Sequence, residues 1–166
     1  MRVMGIDPGS NCTGFGIVEE VKSDLHAVYW SSIRSLPKHA FPERLKRIYD
    51  ELILAMEKFQ PDVVSVEDLF YSTNVKTVIK LAQTRGVTLL AAINSGIELA
   101  EYSPLEIKQS VAGYGRADKN QVRDMVSTLL RLKEKPEPFD ASDALAAAIC
   151  HIHNAGLQQK IKLALR

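Results

Sequence analysis

Four acidic residues stand where chain elements begin or end. Asp7 closes the apolar run Arg2-Val3-Met4-Gly5-Ile6 just before Pro8-Gly9, Glu67 closes Val63-Val64-Ser65-Val66, and Asp140 and Asp143 head a segment that continues Ala144-Leu145-Ala146. Asp is a poor strand residue and Pro-Gly is turn chemistry, so the first strand stops within a residue or two of Asp7, with that carboxylate at the sheet's edge or surface. An isolated Asp-Pro-Gly would be read as a turn and nothing more; three further acids at element ends argue for a shared site. Glu67 ends a short apolar strand of the kind buried on both faces, and functional groups gather at the carboxyl ends of parallel strands. Asp68 follows it, and because side chains alternate along a strand only one of the two can share Asp7's face; Glu67 is the favoured one. Asp140 and Asp143, three apart at a helix start, face the same way. A structural role is also open to them, since acids there cap free backbone N–H groups and suit the helix dipole.

As a set, Asp7, Glu67, Asp140 and Asp143 are hard oxygen donors with no histidine or thiolate partner, which suits Mg²⁺ or Mn²⁺. Two such ions about 3.5 to 4 Å apart could hold the attacking water and the leaving oxygen of a phosphodiester in line, so the chemistry inferred is metal-dependent hydrolysis of nucleic acid. Lys108, Arg116, Lys119 and Arg123 lie around the loop Gly113-Tyr114-Gly115-Arg116. They read as a solvated face unless phosphate is bound nearby. Phe70 and Tyr71 in a polar setting are a core plug or an exposed stacking surface, and residue type alone favours the plug. His151 and His153 fall about two turns or more beyond the acids and read as unrelated to them.

The 166 residues fit one domain able to bury a core without staples, with 46% hydrophobic and 25% charged residues, as in ordinary globular proteins. No apolar run approaches the roughly 20 residues that span a bilayer. The N-terminus enters a strand directly without a leader, so the chain is expected to be cytoplasmic and not membrane-bound. Cys12 and Cys150 have neither metal-site nor disulfide spacing and read as idle thiols. A formal charge of +1 argues weakly against a nucleic-acid partner, but neutralising four acids with two divalent ions would turn it into +5.

The elements that must position these groups follow from periodicity. Residues 2 to 21 read as a hairpin, with Gly14 and Gly16 serving either packing or function, and Leu25 to Ile33 as a third strand. Apolar positions recur at helical spacing from Pro42 to Phe59; the strand Val63 to Glu67 follows, and strand–helix–strand implies a parallel crossover. The helix from Asn74 to about Asn94 carries too many apolar residues for one stripe, so one side covers the sheet and the other needs a further helix or a second subunit. Leu81 and Leu89, off the stripe through Val75, Ile79, Ala82, Gly86 and Ile93, are the first candidates to face a partner. Glu98 to Tyr102 is the last strand. Ser103-Pro104-Leu105-Glu106 is a capping box, and Asp118 caps a helix to about Arg131. After a proline-containing linker from Lys133 to Phe139, the final helix begins at Asp140 and runs towards Asn154-Gly156. The domain is thus expected to span 1–156, with a basic tail at 157–166 that frays.

The chain closely resembles the RuvC family of Holliday-junction resolvases over nearly its whole length. The resemblance is carried by Gly5-Ile6-Asp7-Pro8-Gly9-Ser10, Val66-Glu67-Asp68-Leu69-Phe70, Leu81-Ala82-Gln83-Thr84-Arg85-Gly86, Lys108-Gln109 and Asp140-Ala141-Ser142-Asp143-Ala144-Leu145-Ala146. It is poorest from Val21 to His39 and in the tail. It implies a ribonuclease-H-like α/β fold with a mixed five-stranded sheet and helices on both faces. It also implies metal-binding acids at Asp7, Glu67, Asp140 and Asp143, a base-contacting aromatic at Phe70, and lysines near DNA at Lys108 and Lys119. Further implied are a homodimer cutting two symmetry-related strands of a four-way junction, and RuvA and RuvB branch-migration proteins as partners. An actin-like phosphotransferase also reads Gly-Ile-Asp-x-Gly in its first phosphate loop, but needs a second domain and a second glycine-rich loop that this chain lacks. A catalytically silent junction-binding module is the other alternative, and four intact acids argue against it.

Overall fold

The computed structural model describes residues 1–36, 38–68 and 74–164, with side chains described as far as residue 157. Strand β1 (Arg2–Asp7) pairs antiparallel with β2 (Cys12–Val21), and β2 pairs antiparallel with β3 (Asp24–Arg34). On the other side of β1, β4 (Val63–Glu67) and β5 (Glu98–Tyr102) run parallel to it, giving the order β3-β2-β1-β4-β5. The mixed five-stranded sheet with helices on both faces is therefore as expected.

Side chains of successive strand residues alternate between the two faces. Met4 and Ile6 of β1 and Val64 and Val66 of β4 pack under the crossover helices α1 (Phe41–Phe59) and α2 (Val75–Asn94). The opposite face carries α3 (Pro104–Ala112), α4 (Lys119–Leu129) and α5 (Phe139–Ala164) over Val3 and Val18. Helix α1 buries Ile48, Leu52, Ala55 and Met56, the stripe its periodicity marks. The capping box at Ser103 and Glu106 is formed, and Asp118 accepts from the N–H groups of Asn120 and Gln121 at 2.8 and 3.0 Å. Among the described residues no helix is long and apolar enough to cross a membrane.

The central helix α5 lies directly on β1 and β2 because those strands offer it no side chains at the crossing. A Cβ added at Gly5 or Gly14 would come within 3.0 Å of backbone atoms of Ala144 or Asp140. The Ser65 hydroxyl pins β4 to the same helix by donating to the Ala147 carbonyl at 2.8 Å. These glycines thus serve close approach, and Gly14, set against the Asp140 backbone, fixes where Asp140 stands. Gly14→Ala is expected to lower stability by about 1–3 kcal/mol through overpacking, measured as a lower denaturant midpoint at constant m value. An unchanged midpoint would mean that the helix is not seated on these glycines.

The structure differs from the sequence reading in three places. Asp140 is not the cap of α5: the helix starts at Phe139 and the N–H of Ala141 reaches back to the Pro138 carbonyl at 3.1 Å, so Asp140 lies inside the first turn. Nor does α5 stop at Gly156; it continues to Ala164 through the stretch expected to fray, since a single glycine costs a helix only about 1 kcal/mol. The third difference concerns α2, which buries Thr84, Thr88, Ala91 and Ala92. The two threonine hydroxyls fold back onto the carbonyls of Lys80 and Thr84 at 2.9 and 3.1 Å, so this nominally polar stripe can face the core. Leu89 packs against that core and Leu81 is half-buried, while Val75, Ile79, Leu90 and Ile93 are 68%, 52%, 50% and 62% exposed. The outward apolar stripe is therefore the one through Val75, Ile79 and Ile93, and Leu81 and Leu89 are not its members.

Candidate active site

The parallel pairing of β1 and β4 aligns Ile6 with Val66, which brings the following residues, Asp7 and Glu67, to neighbouring strand ends. Both lie on the face covered by α5, as Gly5 and Ser65 do two residues earlier. Asp68 takes the other face, where the guanidinium of Arg85 bonds it at 3.1 Å. The choice of Glu67 over Asp68 thus agrees with the geometry.

Asp7, Glu67 and Asp143 line one cavity of about 190 Å³ with Lys108, Lys119, Pro104, Ile107 and Val122. Asp140 stands beside it, near enough for its charge to act on Asp7 and Asp143 and for its carboxylate to meet the Cys12 thiol. Lys119, from the first turn of α4, donates to Asp143 at 3.3 Å. Lys108 projects from α3 into the cavity. Arg116 is exposed in the α3–α4 loop and does not line it. Phe70 lies outside the described residues. A larger hollow of about 840 Å³ lies between Leu25 and the Ile152–Leu157 stretch and carries Glu20 and Asp24, but none of the four acids.

The electrostatics of the cavity are unbalanced. Burial pushes Asp7 well above the usual carboxylate range, Glu67, Asp143 and Asp140 push it further, and Lys119 pulls it back. Glu67 is raised to about 7 by burial and by Asp143, against Lys119 and Lys108. Asp143 is raised by burial despite its bond to Lys119, and Lys119 is in turn raised by Asp143. The acids shift upward because burial disfavours their charged forms and they repel one another, and the two lysines do not cancel this. Among the described residues no group of three or more acidic, histidine or cysteine side chains is gathered tightly enough to cage an ion as it stands. The fit to a divalent cation therefore rests on an all-carboxylate donor set and an excess of buried negative charge, and on both counts the residues fit.

Two side chains close to this arrangement are not evident from residue types. Cys12 lies under the start of α5, and the alternation of Gly16 and Gly14 traced backward reaches it. Arg85 is half-way along an apolar helix, and its pairing with Asp68 is expected only once the faces of β4 are assigned.

The family described as crossover junction endodeoxyribonuclease RuvC matches residues 3–151 of the chain. A curated relative from Pelotomaculum thermopropionicum, bearing that same name, is 45% identical over 98% of this chain and 99% of its own. Among solved structures, Thermus thermophilus RuvC superimposes with a TM-score of 0.85 at 32% identity, over 95% of this chain and 97% of that one. The same organism's RuvC in complex with Holliday junction substrate gives a TM-score of 0.89 at 33% identity, covering 95% and 96%. The implied ribonuclease-H-like fold is that of these structures.

Proposed function

Because the chain belongs to the RuvC family of crossover junction endodeoxyribonucleases, we propose that it resolves Holliday junctions at Asp7, Glu67, Asp140 and Asp143. The acids would work with Mg²⁺ or Mn²⁺, two ions per site, in a homodimer that makes paired symmetric nicks. The observation that carries this reading is the burial of Asp7 with Glu67 and Asp143 around one cavity flanked by lysines. Bound divalent ions would supply the charge that activates a water and offsets the leaving oxygen. The four carboxylates hold that charge in place and must be ionised to do so; with Glu67 near 7, proton and cation compete for it around neutrality. Lys119, bonded to Asp143, and Lys108 across the cavity supply donors for phosphate oxygens. Arg116, exposed in the α3–α4 loop, offers a further cation, and Phe70, three residues after Glu67 in the sequence, is the proposed base contact. The test is a labelled four-way junction incubated with protein and Mg²⁺ or Mn²⁺ and scored for symmetric nicks. A junction that is bound but left uncut with either metal would make the chain a binding module.

Lys108→Ala and Lys119→Ala are each expected to weaken junction binding and to lower the slope of log affinity against log salt by about 0.9, the loss of one phosphate contact. Phe70→Ala is expected to reduce cutting at a nearly constant slope, because stacking releases no counterions. Binding titrations at several salt concentrations separate the two classes.

A homodimer agrees with α2, whose exposed stripe includes Ala82 and Gly86 as well as the four large apolar residues. A Cβ added at Gly86 would meet nothing within 4 Å. Glycine inside a helix costs about 0.5–1 kcal/mol relative to alanine, and here no neighbour among the described residues requires it; a second helix crossing closely would. Residues 1–156 would then form the nuclease unit, acting in the cytoplasm, with the basic 157–166 stretch as an extension. RuvA and RuvB are the partners the family resemblance implies.

A further inference from the structure

On the sheet face turned away from the acids, α2 reaches the ends of β4 and β5 with the side chain of Arg85. The Arg85 guanidinium, only 14% exposed, bonds the carboxylates of both Asp68 and Glu101. Asp68 directly follows Glu67, and Glu101 is opposite Val66 in the parallel ladder. Just beyond that ladder the Asp68 N–H donates to the Tyr102 carbonyl at 2.8 Å, which ties the two strand ends together. Two carboxylates side by side at adjacent strand ends would repel and splay them without a cation in between. Both bonds come from the Arg85 Nη2, and arginine suits so enclosed a place because a guanidinium is more weakly hydrated than an ammonium.

We infer that Arg85 is a positioning residue for Glu67: by clamping Asp68 and Glu101 on the far face, it fixes the end of β4 with Glu67 directed at the cavity. The clamp answers a specific load. On the cavity side Glu67 faces the like charges of Asp7 and Asp143, with Lys119 and Lys108 acting against them, so where it stands depends on how firmly the end of β4 is held. The inference rests on the reading of Glu67 as an essential acid.

The experiment compares full-length wild type, Arg85→Gln, Arg85→Lys and Glu67→Gln. In Arg85→Gln, turnover at saturating junction is expected to fall roughly 10–100-fold, as for other partners that orient a ligand. The Mg²⁺ concentration for half-maximal nicking should rise by a similar factor, while metal-free junction affinity and its salt slope stay at wild-type values. Without metal, amide exchange at Asp68 should speed up at least tenfold and exchange in β1 and β2 should not change. Arg85→Lys, which keeps the charge on a shorter and more strongly hydrated head, should fall between; if Arg85→Gln does not fold, the Mg²⁺ midpoint of Arg85→Lys decides. A wild-type midpoint and turnover in a folded variant overturns the inference, as does a salt slope reduced by one phosphate contact. If Glu67→Gln is dead while Arg85→Gln behaves as wild type, only the positioning role fails; nicking retained by Glu67→Gln overturns the acid site and this inference together.

Discussion

Glu67→Gln is expected to lose junction nicking and, without metal at pH 8, to be more stable than the wild type. The loss of nicking follows from removing ligand charge while keeping shape, and should amount to at least roughly 10²–10³-fold, the scale of one electrostatic stabiliser. Junction binding should survive. The gain in stability follows from the raised carboxyl of Glu67, which shifts from an ordinary 4.5 to about 7 through burial and Asp143. A carboxyl raised on folding contributes stability fully below the unfolded value, near 4.5, and loses it as pH rises through the folded value, near 7. Above that window the ionised side chain is held in a site that disfavours it. At 1.36 kcal/mol per pKa unit, the penalty at pH 8 is on the order of 3 kcal/mol. Asp7 and Asp143 shift in the same direction, so wild-type stability in a chelator should decline from pH 5 to pH 8. The amide removes the Glu67 share, raising the melting temperature by roughly 5–10 °C at pH 8 and by little at pH 4.5. Added Mg²⁺ should stabilise the wild type more than the variant, because it binds the folded acids. Equal melting of the two proteins at pH 8 would mean that the cavity carries no such strain, and full nicking would remove Glu67 from the site.

How far the sequence discloses this site depends on which physical rule governs each residue. Strand alternation and the Asp-Pro-Gly turn place Asp7, and the same alternation separates Glu67 from Asp68; both rules are local, and both are obeyed. Capping is local too, yet the reading failed for Asp140, because α5 starts one residue early, at Phe139, where the Arg123 guanidinium lies 4.2 Å from the ring centroid. That contact joins α4 to α5, so tertiary packing sets the helix start. The buried face of α2 was illegible for a different reason. Hydropathy ranks Thr84 and Thr88 as outward residues, but a hydroxyl bonded to its own helix can be buried at little cost. The pairing of Lys119 with Asp143 links residues from separate helices and leaves no trace in spacing.

Leu90→Asp and Ile79→Asp are expected to give folded monomers that bind a junction but no longer cut it in pairs. Both side chains are about half exposed in the single chain, so an aspartate there meets water and leaves the core of Ile48, Leu52 and Ala91 untouched. In a twofold interface the same residue contributes from each protomer, and every substitution is applied twice. A buried, unpaired carboxylate is destabilising by about 3–5 kcal/mol, so two of them weaken the dimer by more than about 10³-fold in Kd. Leu89→Asp is the contrasting variant: Leu89 packs against the core beneath α2, and its replacement should lower stability whatever the oligomeric state. Sedimentation at micromolar concentration, with melting curves for each variant, separates interface loss from unfolding. Paired nicks need two sites whose separation and orientation are set by one rigid contact, and α2 lies on the sheet face opposite the acids, where a twofold contact leaves both cavities open. A wild-type protein that sediments as a monomer and still nicks symmetric positions together would defeat the dimer. Leu90→Asp that stays dimeric and retains paired cutting would assign the contact to another surface.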